Sequence, residues 1–196
     1  HMAVRELYNE LVTLAFTLST KDRRIPRVLD LGAGDGMATI PFLTMGANVT
    51  AVDISAAQLS RLRTKCSQFK SRLHIVCDDV SEVLNKEEKF DVVVANSFLH
   101  HVPDYMSLVG AAVSVLSDCG VLLTFQDPMW NRSCSPRDTL FTQMSYFAWR
   151  IQQKDVLLGL GRRLRRSVGI YSAESVHDNT EYHAVREGVN QGALCD

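Results

Sequence analysis

The sequence lacks any uninterrupted apolar run approaching the roughly 18–20 residues that a membrane-crossing helix needs, so a transmembrane helix is excluded. It has almost no net charge: 21 basic and 22 acidic residues leave −1. That balance gives no support to a chain-wide attraction to nucleic acid or to a membrane surface. Cysteine is sparse. Cys66, Cys77, Cys119, Cys134 and Cys195 are odd in number and include no C-x-x-C pair. This argues against a disulfide framework and a zinc site, and for a reducing compartment, the cytoplasm. No internal repeat or low-complexity tract interrupts the chain.

What is present is ordinary for a soluble globular protein: 196 residues, 46% hydrophobic and 22% charged. That length predicts one domain with at most a small appendage. His1-Met2 reads as a cloning remnant and is set aside. The charge is unevenly spread, with 12 basic and 15 acidic groups in residues 1–127 and 9 basic and 7 acidic in 128–196.

Hydrophobic periodicity predicts a helix over 3–19, with Leu7, Leu11, Leu14 and Ala15 on one face. Short strands rich in Val, Ile and Leu are predicted at 27–31, 48–53, 73–77, 90–95 and 120–125. Helices are predicted between them at 37–46, 55–69, 79–87 and 104–117, with Ser55 and Asp104 as caps. Alternating strands and helices mean βαβ units: an α/β fold with a doubly wound, mainly parallel sheet covered on both faces. A ligand of such a sheet sits beyond the carboxyl ends of the strands. After Asp127 the pattern changes. Residues 137–160 read as one or two helices, then an arginine cluster at 162–166, and no convincing strand pair follows. The expected organisation is a core at 3–127 and a helical C-terminal lid at 128–196.

The most informative stretch is Val28-Leu-Asp-Leu-Gly-Ala-Gly-Asp-Gly36. Glycines at a strand-to-helix turn let backbone approach a ligand closely, and the next helix offers free N–H groups. The dinucleotide fingerprint begun at Gly32 would need its last glycine where Met37 stands. Asp30, at the strand end before the glycines, suits a cationic group and would repel a pyrophosphate. Asp53 ends the second strand, 19 residues after Gly34, where an acid can accept both ribose hydroxyls of an adenosine. Cys77-Asp-Asp-Val80 follows the third strand, placed for an adenine amino group. Asn96-Ser-Phe-Leu-His-His-Val-Pro-Asp104 follows the fourth.

Together these elements resemble the class I S-adenosylmethionine-dependent methyltransferases over residues 26–127. VLDLGAGDG is similar to their first motif, VTAVDIS to their ribose-binding acidic strand, and FDVVVANSFLHHVPD to the strand and loop facing the methyl group. The resemblance implies S-adenosyl-L-methionine as cofactor and S-adenosyl-L-homocysteine as product. It implies that Asp30 and the loop Gly32, Ala33, Gly34 hold the methionine end. Asp53, with Ile54, holds the ribose, and Asp78 or Asp79 the adenine; register leaves that choice open, with Asp79 and Val80 favoured. Asn96 and Ser97 face the methionine moiety. His100 and His101 are the candidate catalytic bases. Tyr8, His101, Tyr146 and Trp149 are the candidate substrate contacts, and no metal ligand set is expected.

The Leu99-His100-His101 form of the fourth motif is similar to that of small-molecule methyltransferases, and differs from the NPPY form associated with methylation of amino nitrogens. The expected acceptor is therefore a small molecule, oxygen first, with no membrane partner and no nucleic acid. Family members normally close with a helix and an antiparallel strand pair. Residues 128–196 show no convincing strand pair, which predicts a chain cut short at its C-terminus; Asn190 to Leu194 would begin the closing helix. The central part of 128–196 is similar, more weakly, to helical insertions of natural-product methyltransferases.

Plainer roles compete at each position. Asp53 could cap the next helix, as could Asp78 or Asp79. The aromatic residues could be core, and the arginine cluster a solvated helix end. The competing functions are a nicotinamide-dependent oxidoreductase, an RNA or protein methyltransferase, and a cofactor-binding module without turnover. The oligomeric state is open, a homodimer included.

Overall fold

In the computed structural model, residues 2–20, 24–128, 135, 137, 140, 141, 144 and 188–195 are described. The chain divides into two compact units, His1–Asp127 and Pro128–Asp196.

The first unit is a five-stranded parallel sheet in the order β3-β2-β1-β4-β5. The strands are β1 (Arg27–Leu31), β2 (Asn48–Asp53), β3 (Leu73–Cys77), β4 (Phe90–Asn96) and β5 (Leu116–Phe125). The helices are α1 (Met2–Ser19), α2 (Thr39–Met45), α3 (Ala56–Lys65), α4 (Val80–Leu84) and α5 (Tyr105–Ser114). Chain order reverses at β1, which pairs with β2 on one side (Asp30 opposite Ala51) and with β4 on the other (Asp30 opposite Val94). A doubly wound sheet has its crevice at this point, beyond the carboxyl ends of β1 and β4.

Strand residues alternate between the faces. Val28, Val49, Ala51, Val92 and Val94 share one core cluster with Tyr8, Val12 and Ala15 of α1, Phe42 and Leu43 of α2, and Leu59 and Leu62 of α3. Being two residues from Val28, Asp30 points to this same face. Leu29, Leu31 and Val93 alternate to the other face and are as deeply buried, as the central strands of a sheet covered on both sides must be.

Local signals set the helix starts. Ser55 accepts from the Gln58 N–H, Asp79 from the Ser81 N–H and Asp104 from the Ser107 N–H, each supplying an acceptor to an orphan donor of the first turn. At the amino end of the sheet, the buried Asp91 carboxylate accepts from the Arg24 side chain (2.5 Å), the Arg27 N–H (2.9 Å) and the Ser117 hydroxyl (2.8 Å).

Several expected boundaries move. α1 buries Tyr8, Val12 and Ala15, while Leu7 and Leu14 of the expected face are exposed. The large Tyr8 ring decides this, stacking on Phe125 with centroids 5.0 Å apart. α2 begins at Thr39 instead of 37, because Gly34 and Gly36 hold positive φ and spend residues 34–38 in turns. The helix after β2 stops at Lys65, with a separate turn of 3-10 helix at Ser67–Phe69. α4 and α5 are shorter than expected, and β5 begins at Leu116 instead of 120. The early part of β5 pairs Leu116 with Phe90, then slips register before Val92 meets Val121. Cys119 lies inside that irregularity at φ +62°, which hides the strand from a periodicity reading.

In the second unit, the Val189 N–H donates to the Pro128 carbonyl at 2.9 Å. A short helix, Gln191–Cys195, follows Asn190, whose Oδ1 accepts from the Ala193 N–H.

Candidate active site

A cavity of about 470 Å³ opens beyond the carboxyl ends of β1 to β4. Gly32, Asp53, Ile54, Asp79, Val80 and His101 line it, each predicted from the sequence. Phe98, Val102, Pro103, Asp104, Ser107, Leu108, Ala111, Ser81, Leu84 and Asn85 complete the wall. The volume is in the range of small-molecule sites. Successive parallel strands have brought together residues that the sequence separates by 69 positions, from Gly32 to His101.

Asp30 stands behind this wall, only 1% exposed. Burial raises its carboxyl to about 7, two hydrogen bonds from Thr39 pull it down, and the nearby Asp53 charge adds to the rise. The Thr39 hydroxyl donates to Asp30 Oδ2 at 2.6 Å. Thr39 has no signal in the glycine motif itself; what marks it is a threonine as first residue of the helix that follows. Among the described residues no cation contributes to the Asp30 carboxyl's environment. A group offering an ammonium there would match it.

The glycine loop owes its shape to backbone that L side chains avoid. Gly32 has φ +67° and Gly34 φ +53°. A Cβ on Gly32 would sit 2.1 Å from the ring of Phe98, so the ring lies directly on the loop. The loop is tied to β2 twice. The Ala33 N–H donates to the Val52 carbonyl at 3.0 Å, and the Gly34 N–H to Asp53 Oδ2 at 2.8 Å. The other Asp53 oxygen accepts from the Ser55 N–H at 2.7 Å. Asp53 therefore shapes the loop and also faces the cavity, with lone pairs remaining on both oxygens.

At the end of β3 the two acids part company. Asp79 lines the cavity and caps α4, accepting from the Ser81 N–H (2.9 Å) and hydroxyl (2.6 Å). Those bonds hold its carboxyl below the usual range. Asp78 accepts from the Asp79 N–H and stays outside the cavity wall.

Beyond β4 the chain turns sharply. Ser97 adopts φ +53° and its N–H donates to the Phe125 carbonyl at 2.7 Å. Asn96 and Ser97 do not line the cavity, and the Asn96 side-chain oxygen is buried with no hydrogen-bond partner among the described residues. A turn of 3-10 helix, Leu99–His101, then presents the two histidines. Their rings lie 4.0 Å apart, tilted by 37°. His101 faces the cavity; His100 lies behind it, its Nδ1 2.7 Å from Asp127 Oδ1. Asp127 is a residue that sequence reading did not single out.

Tyr8, expected at the substrate, is 3% exposed within the core and absent from the cavity wall. Its hydroxyl donates to the Met37 carbonyl at 3.5 Å, and burial pushes its ionisation upward, with Asp30 adding. Tyr146 and Trp149 lie outside the described residues, as does the arginine cluster at 162–166. Among the described residues no group of three or more His, Cys, Asp or Glu is arranged to hold a metal, and no helix is long and apolar enough to cross a membrane.

Comparison with known proteins follows this geometry. Residues 28–120 match a family model described as a methyltransferase domain. A ubiquinone biosynthesis O-methyltransferase of Rhodopseudomonas palustris (strain BisB5) is 29% identical over 97 residues, covering 50% of this chain and 38% of that one. One from Histophilus somni (strain 2336) is 33% identical over 101 residues, covering 49% and 42%. The chain spans about two fifths of the length of these curated relatives. Among solved structures, the CcbJ methyltransferase from Streptomyces caelestis superimposes with a TM-score of 0.52 at 21% identity, covering 59% of this chain and 50% of that one. An S-adenosylmethionine-dependent methyltransferase from Clostridium acetobutylicum ATCC 824 gives 0.51 at 22% identity, covering 59% and 48%. These two likenesses establish a shared fold. Residues 28–120 are thus similar to a methyltransferase domain, and the glycine loop, the acidic strand ends and the shared fold agree with that match.

Proposed function

We propose that the cavity binds S-adenosylmethionine and that the protein transfers its methyl group to an oxygen of a small molecule, with nitrogen and then carbon as the next acceptors. The observation that carries this reading is one cavity lined by Gly32, Asp53, Asp79, Val80 and His101 from four successive strand ends. Asp53 suits the two ribose hydroxyls, and Asp79 the adenine amino group with Val80 against the ring. Asp30, buried and with no cation beside it among the described residues, together with Gly32, Ala33 and Gly34 suits the methionine end, and Asn96 offers a buried oxygen to it. Ile54 lines the same cavity, next to Asp53 in the chain.

The bound sulfonium supplies the methyl group. The chain supplies alignment, a dry wall from Phe98, Val102 and Leu108, and a base for an acceptor that begins protonated. His101 is placed for that proton, with His100 behind it. The relatives named as O-methyltransferases support oxygen as the first acceptor. We further read residues 3–127 as the cofactor-binding core, 128–196 as the substrate region, and the odd cysteines as a sign of the cytoplasm.

Radiolabelled methyl transfer from S-adenosylmethionine to a panel of catechols, phenols and primary amines tests this. Labelled product with the hydroxyl acceptors is the expected result. A protein that binds S-adenosylhomocysteine and labels only the amines would overturn the acceptor assignment; one that ignores the cofactor and binds a nicotinamide dinucleotide would overturn the whole reading.

A further inference from the structure

We propose that Asp127 is a positioning residue of this site, acting through His100 on His101. The inference rests on the methyltransferase reading above.

Asp127 follows the carboxyl end of β5, which pairs with β4, and the turn after β4 carries the histidines. Its side chain is 6% exposed. One oxygen, Oδ1, accepts twice from the same residue: from the His100 backbone N–H at 3.1 Å and from the His100 ring at 2.7 Å. Two bonds from one oxygen to both ends of a residue fix its backbone and its ring together. A carboxylate has no proton to give, so the ring must donate from Nδ1. A neutral His100 is thereby held in the Nδ1–H tautomer, which leaves Nε2 as the unprotonated ring nitrogen. This is the logic by which an acid orients a catalytic imidazole on unrelated folds.

The fixed ring of His100 is the surface against which the His101 ring packs, tilted by 37° with 4.0 Å between centroids. His101 is the member of the pair on the cavity wall. The acceptor hydroxyl loses its proton to the His101 ring, which becomes imidazolium. The oxygen pair so released forms the bond to the methyl carbon, and the carbon–sulfur pair stays on sulfur. Asp127 contributes by keeping the histidine behind His101 in one orientation, with its negative charge on the far side to favour the positive charge that develops.

Imidazole 15N NMR of the full chain with S-adenosylhomocysteine tests this without knowing the acceptor. In wild type, neutral His100 should show a protonated Nδ1 and an unprotonated Nε2. Asp127→Ala should return His100 toward the Nε2–H form that imidazole prefers in water and should also move the His101 ring resonances. Affinity for S-adenosylhomocysteine should stay within about threefold, since Asp127 does not line the cavity. An Nε2–H tautomer in wild type overturns the inference without any variant, and so do His101 resonances unmoved by Asp127→Ala. A wild type that shows the Nδ1–H tautomer yet fails to bind S-adenosylhomocysteine overturns the methyltransferase reading on which the inference rests.

Discussion

Replacing Asp30 by asparagine isolates the energetic cost of burying an acid at the end of β1. Asn has nearly the same shape, and its oxygen can still accept from Thr39. The charge is lost, and one acceptor oxygen becomes an NH2 donor. In the folded protein, burial raises the Asp30 carboxyl from 3.8 to about 7. Between those values the folded chain holds a proton that the unfolded chain has released, so stability falls as pH rises. The sign is that of a raised pKa: the contribution is fully present below about 4 and lost as pH passes through about 7. At roughly 1.4 kcal/mol per pH unit, the loss from this one group is about 4 kcal/mol. Urea unfolding of the ligand-free protein between pH 4.5 and 8, for wild type and Asp30→Asn, measures it. The difference between the two cancels other titrating groups. Wild type should lose stability relative to the variant across this range, and Asp30→Asn should be the more stable at pH 8. S-adenosylhomocysteine should stabilise wild type at pH 8 and the variant much less. Parallel pH profiles for the two proteins would mean that the buried acid carries no cost.

Asp53→Ala removes the acceptor for the Gly34 and Ser55 N–H groups. It should weaken S-adenosylhomocysteine binding at least tenfold by calorimetry, consistent with about 1.5–3 kcal/mol for lost bonds to a charged group. Gly32→Ala places a Cβ against Phe98 at a positive φ and should cost about 2–4 kcal/mol in thermal unfolding. Adding Phe98→Ala should recover part of that loss; no recovery would mean the backbone strain alone is responsible. Asp91→Ala strips an acceptor from Arg24, Arg27 and Ser117 at the opposite end of the sheet and should cost about 3 kcal/mol. Its S-adenosylhomocysteine affinity, measured on folded protein, should match wild type. His101→Ala should lower turnover with a catechol acceptor at least tenfold while leaving cofactor affinity within about threefold.

Much of this site was legible from strand ends alone. A hydrophobic strand that stops at an acid or a glycine loop announces its carboxyl end, and parallel order brings such ends together. That is why Gly32, Asp53, Asp79, Val80 and His101 could be named before their geometry. Contacts made across the fold left no such trace. Thr39 reaches Asp30, Asp127 reaches His100 and Phe98 covers Gly32 through tertiary packing, and each looks unremarkable in its own segment. The α1 face was misjudged because leucine count favoured one stripe, whereas the volume of Tyr8 against Phe125 selected another. β5 begins early because a register slip at Phe90–Val92 breaks the alternation that would reveal it.

In the proposed function, Asp53 at the end of β2 holds the ribose of an S-adenosylmethionine bound in the cavity. Isothermal titration of the wild-type chain and of Asp53→Asn with S-adenosylhomocysteine tests it most directly. Saturable one-to-one binding by wild type, weakened at least tenfold in the folded variant, is the predicted result. Equal affinity of the two proteins, or no binding by wild type, would contradict the account.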